Sequence, residues 1–180
     1  STRISGSRNT SDGFGSDGGA FAAKYEDWNS NMNVSYSLSE NNNINLTGRF
    51  FRHETFNSAN SMNTSHPLIF SVNMGINGKF ISSDKTNNLN VSLNWNKYYD
   101  FDVFERLNNQ KERQNSAYYL SSRIVNTLKA NDRTEIVGGV EFNREENFSL
   151  TTLGPEPTTK HIEDINLFGQ IDFKPVNNLD

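Results

Sequence analysis

Hydrophobic and polar residues alternate strictly through 67–99, in two runs that a short polar segment separates. The apolar residues take the even positions from Leu68 to Ile76 in the first run and the odd positions from Leu89 to Tyr99 in the second. A period of two places alternate side chains on opposite faces of a β-strand. The segment between the runs, 82–88, is rich in turn-forming residues, so the pattern predicts an antiparallel hairpin.

The same alternation recurs along most of the chain. It predicts further strands within 28–38, 44–50, 118–128, 136–142 and 165–173. A shorter extended segment at 20–25 is expected to lose its phase near Asp27, and the Gly/Ser/Asp-rich segment 6–19 is expected to be a loop. The predicted connections are short at 39–43, 82–88 and 130–133, and long at 53–66, 100–115 and 146–163.

Two features of this pattern indicate the fold class. Each run of the central hairpin is longer than an average strand, which has about five or six residues, and one face of each run is apolar. Short and long connections also alternate, as in outer-membrane barrels with short periplasmic turns and long extracellular loops. We therefore expect an all-β fold, a segment of an antiparallel transmembrane β-barrel with about seven to eight strands.

The composition is compatible with a segment of a transmembrane β-barrel. The chain has 180 residues, of which 33% are hydrophobic and 12% aromatic, with a mean hydropathy of −0.73. Only alternate residues of a barrel strand need to be apolar, so a low apolar content is compatible with a membrane protein. A net charge of −4 and the absence of a basic patch with interleaved aromatic residues give no sign of nucleic-acid binding. Cysteine is absent, which excludes disulfides and thiolate chemistry.

Few charges fall on the predicted apolar face. Arg52, Lys97 and Arg144 are its only charged members, and each lies near the end of a predicted strand that leads into a long connection. Arginine and lysine pair well with phosphate, so we expect these three residues to face outer-membrane lipid and its lipopolysaccharide. Alternatively, the strands extend beyond the membrane and these three side chains are exposed to water.

Candidate ligand-binding residues lie in or beside the long connections. His53, His66 and His161 fall there, and histidine is a common ligand for transition metals and haem. Phe56 and Phe104 belong to a group of aromatic residues at the same ends of the strands, which suits either a ligand vestibule or an interfacial girdle. The identity of any metal stays open. We find no nucleophile–base–orienter set and no cofactor motif, so an enzyme is not expected.

One stretch near the C-terminus carries a family resemblance. Residues 166–179 resemble a barrel strand and turn of TonB-dependent outer-membrane receptors, and 134–145 is similar to that family's glycine-bearing strand. The matching pattern is an aromatic residue, glutamine, an acidic–aromatic pair, a basic residue and proline, with leucine starting the next strand. It comprises Phe168, Gln170, Asp172, Phe173, Lys174, Pro175 and Leu179.

The resemblance implies a function and a set of partners. Such receptors lie in the outer membrane of Gram-negative bacteria as multi-pass barrels and take up a scarce nutrient, such as a siderophore-bound iron or haem. The resemblance implies coupling to TonB–ExbB–ExbD through an N-terminal plug, and we expect residues 1–180 to be a partial barrel without that plug. Two alternatives stay open: a passive porin-type barrel, and a soluble or surface-anchored β-protein that binds glycans.

Overall fold

The computed structural model describes residues 1–12, 24–56, 65–104, 110–150 and 157–174. Each strand of its single eight-stranded sheet pairs antiparallel with its neighbour in sequence. The strands are β1 (Thr2–Ser11), β2 (Lys24–Ser37), β3 (Asn43–Phe56), β4 (Ser65–Ile81), β5 (Asn87–Phe104), β6 (Gln110–Asn131), β7 (Thr134–Ser149) and β8 (Thr158–Phe173). Within these ranges no helix is long and apolar enough to cross a membrane.

The predicted all-β, antiparallel architecture is confirmed, but the strands are longer than the alternation predicted. β1 continues to Ser11, through the first half of the predicted 6–19 loop, and β2 pairs regularly past Asp27, where a loss of phase was expected. β6 reaches 22 residues because it begins at Gln110, inside a predicted long loop. Backbone pairing needs no apolar side chain, so a ladder can extend into segments that are polar on both faces.

The short connections occur where the sequence placed them, between β2 and β3, β4 and β5, and β6 and β7. In the β4–β5 turn, the Ser82 hydroxyl donates to Asp84, as do the backbone and hydroxyl groups of Thr86. These hydrogen bonds, that of Ser82 foremost, lower the pKa of the Asp84 carboxyl. Parts of the long connections, and Pro175 and Leu179 of the family pattern, lie outside the described residues.

The register divides the side chains into two faces, because residues directly opposite each other share a face. The apolar face carries Met74 and Ile76, which are 54% and 46% exposed although they lie in the middle of the sheet. No second layer of secondary structure covers this face within the described residues. The few buried apolar side chains, Leu68 and Val103, lie near the long connections, so the sheet has no central core of its own.

We call the two ends of the sheet the loop end, where the long connections lie, and the turn end. The turns are staggered from one hairpin to the next. In the ladder, Asn43 at the start of β3 shares a row with Asn90, three residues inside β5, and with Gly139, five residues inside β7. Such a progressive shift is the shear of tilted strands, which a sheet needs in order to curve into a barrel.

Two adjacent glycines in β7 meet different surroundings. A Cβ atom on Gly139 would lie 2.5 Å from the carbonyl oxygen of Ile124 and 2.5 Å from Cζ of Phe168, whose ring covers this glycine. On Gly138, which points to the other face, the nearest contact would be the Phe168 carbonyl oxygen at 3.8 Å. The Phe168 ring also lies under the Arg123 guanidinium, 5.2 Å away. An aromatic ring packed over a strand glycine helps to fix the β7–β8 register.

We expect Gly139→Ala to destabilise the folded protein by about 1–3 kcal/mol, because the methyl group meets backbone that cannot move without breaking the ladder. Gly138→Ala is the matched control, and its effect should lie within about 0.5 kcal/mol of zero. Urea unfolding of the protein in detergent micelles measures both. Equal losses in the two variants would mean that the ring does not lie on Gly139.

Candidate functional site

The polar face of the sheet carries a groove near its middle. The groove has a volume of about 580 Å³, and its lining includes five asparagines and two arginines. Arg49 lies in its wall and donates from Nε to Oδ1 of Asn31 at 3.0 Å. Asn73 and Asn96 lie beside it on the same ladder row. This combination offers many hydrogen-bond donors and acceptors and a positive charge to a polar solute.

His53 lies on the polar face toward the loop end. Its Nδ1 lies 2.5 Å from Oδ1 of Asp27, and its Nε2 lies 2.9 Å from the hydroxyl of Thr55. The rings of Tyr25 and Phe51 stack beside it, with centroids at 6.2 and 6.5 Å. A carboxylate hydrogen-bonded to one ring nitrogen orients the imidazole, as the partners of metal-binding histidines do.

His66 lies on the opposite face. It is 4% exposed, and its Nε2 lies 3.0 Å from Oε1 of Glu54, whose other oxygen pairs with Arg52. The ring of Phe56 packs against His66 with a centroid distance of 5.2 Å. Glu54 is thus a buried carboxylate between two basic groups, which suits a structural element better than a ligand site.

The structure does not bring the predicted ligand residues together. His53 and Phe104 belong to the polar face, whereas His66 and Phe56 belong to the apolar one. His161 is exposed on β8, on the ladder row of Glu146, and lies four strands away from His66. Among the described residues, no group of three or more His, Asp or Glu side chains is arranged to hold a metal ion. The three histidines therefore do not form one metal site.

Arg52, Lys97 and Arg144 lie on one level of the apolar face. They follow the first residues of β3, β5 and β7 by nine, ten and ten positions. Arg52 lies on the ladder row of Tyr99, two residues from Lys97 along β5, and Lys97 lies on the row of Glu146, two residues from Arg144 along β7. Both offsets have the same direction as the displacement of the turns from one hairpin to the next. Tilted strands accordingly bring the three cations to a similar height.

The expectation that these three are the only charges on that face was wrong, because the longer strands add others. Arg52 pairs with Glu54, and Arg144 lies 3.3 Å from Glu163 and 3.9 Å from Glu146. Lys97 has no carboxylate within ion-pair distance among the described residues. Its ammonium lies instead over aromatic rings, 5.0 Å from the centroid of Tyr99 and 5.9 Å from that of Tyr118.

Sequence reasoning missed the groove and the partner of His53. The signal for the groove was the recurrence of asparagine at the polar positions of successive strands, for example Asn31, Asn73 and Asn96. Asp27 was missed because the alternation of β2 is weak there, so its face could not be assigned. The pairing of Glu54 with His66 needed the β3–β4 register, which crosses a long connection.

This chain is similar to known proteins in structure but not in sequence. No family model matches the chain, and no curated protein matches it in sequence. Among solved structures, the chain is similar to the copper transporter OprC, with a TM-score of 0.62 and 14% identity over 98% of the chain. A second similar structure is the ferric yersiniabactin uptake receptor FyuA from Yersinia pestis, with 14% identity over 94% of the chain and a TM-score of 0.44.

The first comparison confirms the predicted fold: the sheet matches a fragment of a TonB-dependent receptor barrel. The chain spans about 30% of the length of OprC and 31% of that of FyuA. At this level of identity the resemblance is one of fold.

We expect Glu54→Ala to destabilise the folded protein by about 2–4 kcal/mol, because it leaves the buried His66 and the neighbouring Arg52 without their shared carboxylate. Glu163→Ala removes a carboxylate that also pairs with an arginine but is half exposed, so it should cost less than about 1 kcal/mol. Thermal unfolding in detergent micelles compares the two. A loss for Glu54→Ala no larger than that of the control would show that the buried pair contributes nothing.

Proposed function

We propose that this chain forms part of the transmembrane β-barrel of an outer-membrane receptor that imports a scarce nutrient by an energised route. One observation carries the proposal: in the described part of the chain, the sheet has an apolar face that no second layer covers, opposite a polar face that holds a groove. In water that face would need a second layer, whereas in a bilayer lipid covers it. The similarity to a TonB-dependent receptor barrel supports the same placement.

The height of the apolar face fits a membrane. Aromatic residues border it at the loop end, with Phe70 and Tyr99 as examples, and again at the turn end, with Tyr36 and Phe80. Phe70 and Phe80 are ten residues apart on β4. At about 3.3 Å per residue and a tilt of about 40°, this separation gives about 25 Å along the membrane normal. An outer-membrane barrel has an apolar band of that height between two aromatic girdles.

The sheet needs further strands to work in a membrane. No pairing joins β1 to β8 in the described part of the chain, and open edges do not occur in lipid because their backbone groups would be unsatisfied. We propose that other barrel strands pair with β1 and β8, and that a plug couples the barrel to TonB–ExbB–ExbD. The turn end then faces the periplasm and the loop end faces outward, in a Gram-negative bacterium.

The polar face suits a water-soluble, oxygen-rich ligand. We propose that the groove around Arg49, Asn73 and Asn96 contacts an anionic metal chelate on its way through the barrel, since guanidinium and amide groups pair with its oxygens. His53, with its Asp27 partner and two flanking rings, is the histidine best placed to contact such a ligand. Iron bound to a siderophore, haem and copper are the candidate cargoes.

Energy dependence separates this proposal from a passive porin. A strain that expresses the protein is given radiolabelled ferric siderophores, haemin or copper, with and without a protonophore. We expect saturable uptake of one of these cargoes that the protonophore abolishes. Uptake that persists without a proton gradient would favour a porin, and a protein that stays in aqueous solution without detergent would favour a soluble glycan-binding protein.

The assignment of the apolar face to lipid can be tested at two adjacent positions in β4. We expect Met74→Arg to destabilise the barrel by about 2–4 kcal/mol, as arginine does on a lipid face near the midplane. Asn73→Arg is the matched control and should cost much less, since its side chain joins Arg49 at the polar groove. Unfolding titrations in lipid bilayers measure both. Equal costs would contradict the assignment of the apolar face to lipid.

A further inference from the structure

The loop end of the apolar face has a charge balance opposite to that of the whole chain. The chain carries a net charge of −4. On this face, however, the described strands include seven cations and four carboxylates, Glu26, Glu54, Glu146 and Glu163. The cations are Arg8, Lys24, Arg52, Lys97, Lys111, Arg113 and Arg144. A local excess of positive charge bordering an apolar band needs anions from outside the sheet.

Several of these cations lie over aromatic rings. The guanidinium of Arg113 lies 3.7 Å from the ring centroid of Phe148, and that of Arg8 lies 5.0 Å from that of Trp28. Lys97 lies over Tyr99 and Tyr118. Packing against a ring holds a long side chain at the surface while its charged group stays available to an anion. These residues therefore form a row of fixed cations along the loop-end aromatic girdle.

Lys97 differs from its neighbours at the same level. Arg52 and Arg144 are neutralised by carboxylates of the chain, and Arg8 pairs with Glu26 at 2.8 Å. Lys97 has Val72 opposite it on β4 and Tyr118 opposite it on β6, and Trp95 and Tyr99 are the next residues on its own face of β5. An ammonium group surrounded by apolar and aromatic side chains gains most from an external anion, because desolvation is costly without a partner.

We propose that Lys97, with Tyr99 and Tyr118, forms a binding site for a phosphate group of the phosphorylated glycolipid of the outer leaflet. The ammonium pairs with the phosphate, the tyrosine hydroxyls supply further hydrogen-bond donors, and the acyl chains pack on the apolar face below. Arg113 adds a second cation nearer the loop end. Charge complementarity selects this lipid, because its phosphates occur at the depth of the loop-end girdle together with acyl chains.

This inference rests on the proposed placement in the outer membrane, and it revises the sequence-based expectation. Arg52 and Arg144 were expected to contact lipopolysaccharide together with Lys97. Their carboxylate partners now make them the weaker contributors, since an anion must compete with Glu54 or Glu163 for them. The site accordingly centres on one lysine and two tyrosines.

Thermal stability in a neutral detergent tests the site. The wild-type protein, with the further strands that complete its barrel, is heated with bis-phosphorylated lipid A, with the same lipid after removal of its phosphates, and with inorganic pyrophosphate. We expect a rise in Tm with the phosphorylated lipid only. Lys97→Gln should lose most of that rise, Lys97→Arg should keep it, and Lys79→Gln, a lysine of the polar face, is the matched control that should keep it in full.

Three results would overturn the inference. An undiminished rise in Lys97→Gln would show that other groups bind the lipid. An equal rise with dephosphorylated lipid would show that only acyl chains matter, and an equal rise with pyrophosphate would show a site for soluble anions. Flotation with phosphatidylcholine liposomes separates these failures from failure of the proposed function. The protein in this flotation carries the further strands that pair with β1 and β8. If it does not insert, the membrane placement is refuted, whereas insertion without the lipid effect refutes only this site.

Discussion

The rest of the structure depends on the continuous antiparallel ladder that joins eight strands. Within the described residues, no second layer packs on the sheet, and the two buried apolar side chains near the loop end, Leu68 and Val103, cannot supply a core. Backbone hydrogen bonds and cross-strand side-chain pairs must therefore hold the strands together. A single sheet of this kind is stable only where something other than water covers its apolar face.

The ladder also explains how distant residues come to act at one level. Shear shifts each hairpin relative to the last, so Arg52, Lys97 and Arg144 lie on different ladder rows but at similar distances from their turns. The same shift separates the polar groove from the buried His66–Glu54 pair, which lies nearer the loop end on the other face. The position of a residue along its strand determines its distance from the turn end. The alternation of side chains determines which of the two faces it belongs to.

The face on which a residue lies, and its position along the strand, separate the residues proposed to contact the nutrient from those proposed to contact lipid. Groups of the polar face, such as Arg49 and Asn73, line the groove, and in the proposed barrel they face its aqueous interior. In the proposed placement, the cations of the apolar face meet lipid headgroups at the loop end, where a lysine without a carboxylate partner is tolerable at a cost of about 0–1 kcal/mol. The pair of Glu54 and His66 belongs to neither role, since its groups are buried and satisfy each other.

The sequence by itself determined the presence of β2 to β8, the short turns and the opposite facing of residues such as Met74 and Asn73. Each of these follows from a local period of two and from local turn chemistry. Strand ends were missed, since pairing at Ser11 or Gln110 depends on the neighbouring strand rather than on apolar residues. The separation of His53 from His66 was decided only by the tertiary structure, as was the absence of a carboxylate beside Lys97 among the described residues. Both depend on the register between strands, which long connections leave unspecified in the sequence.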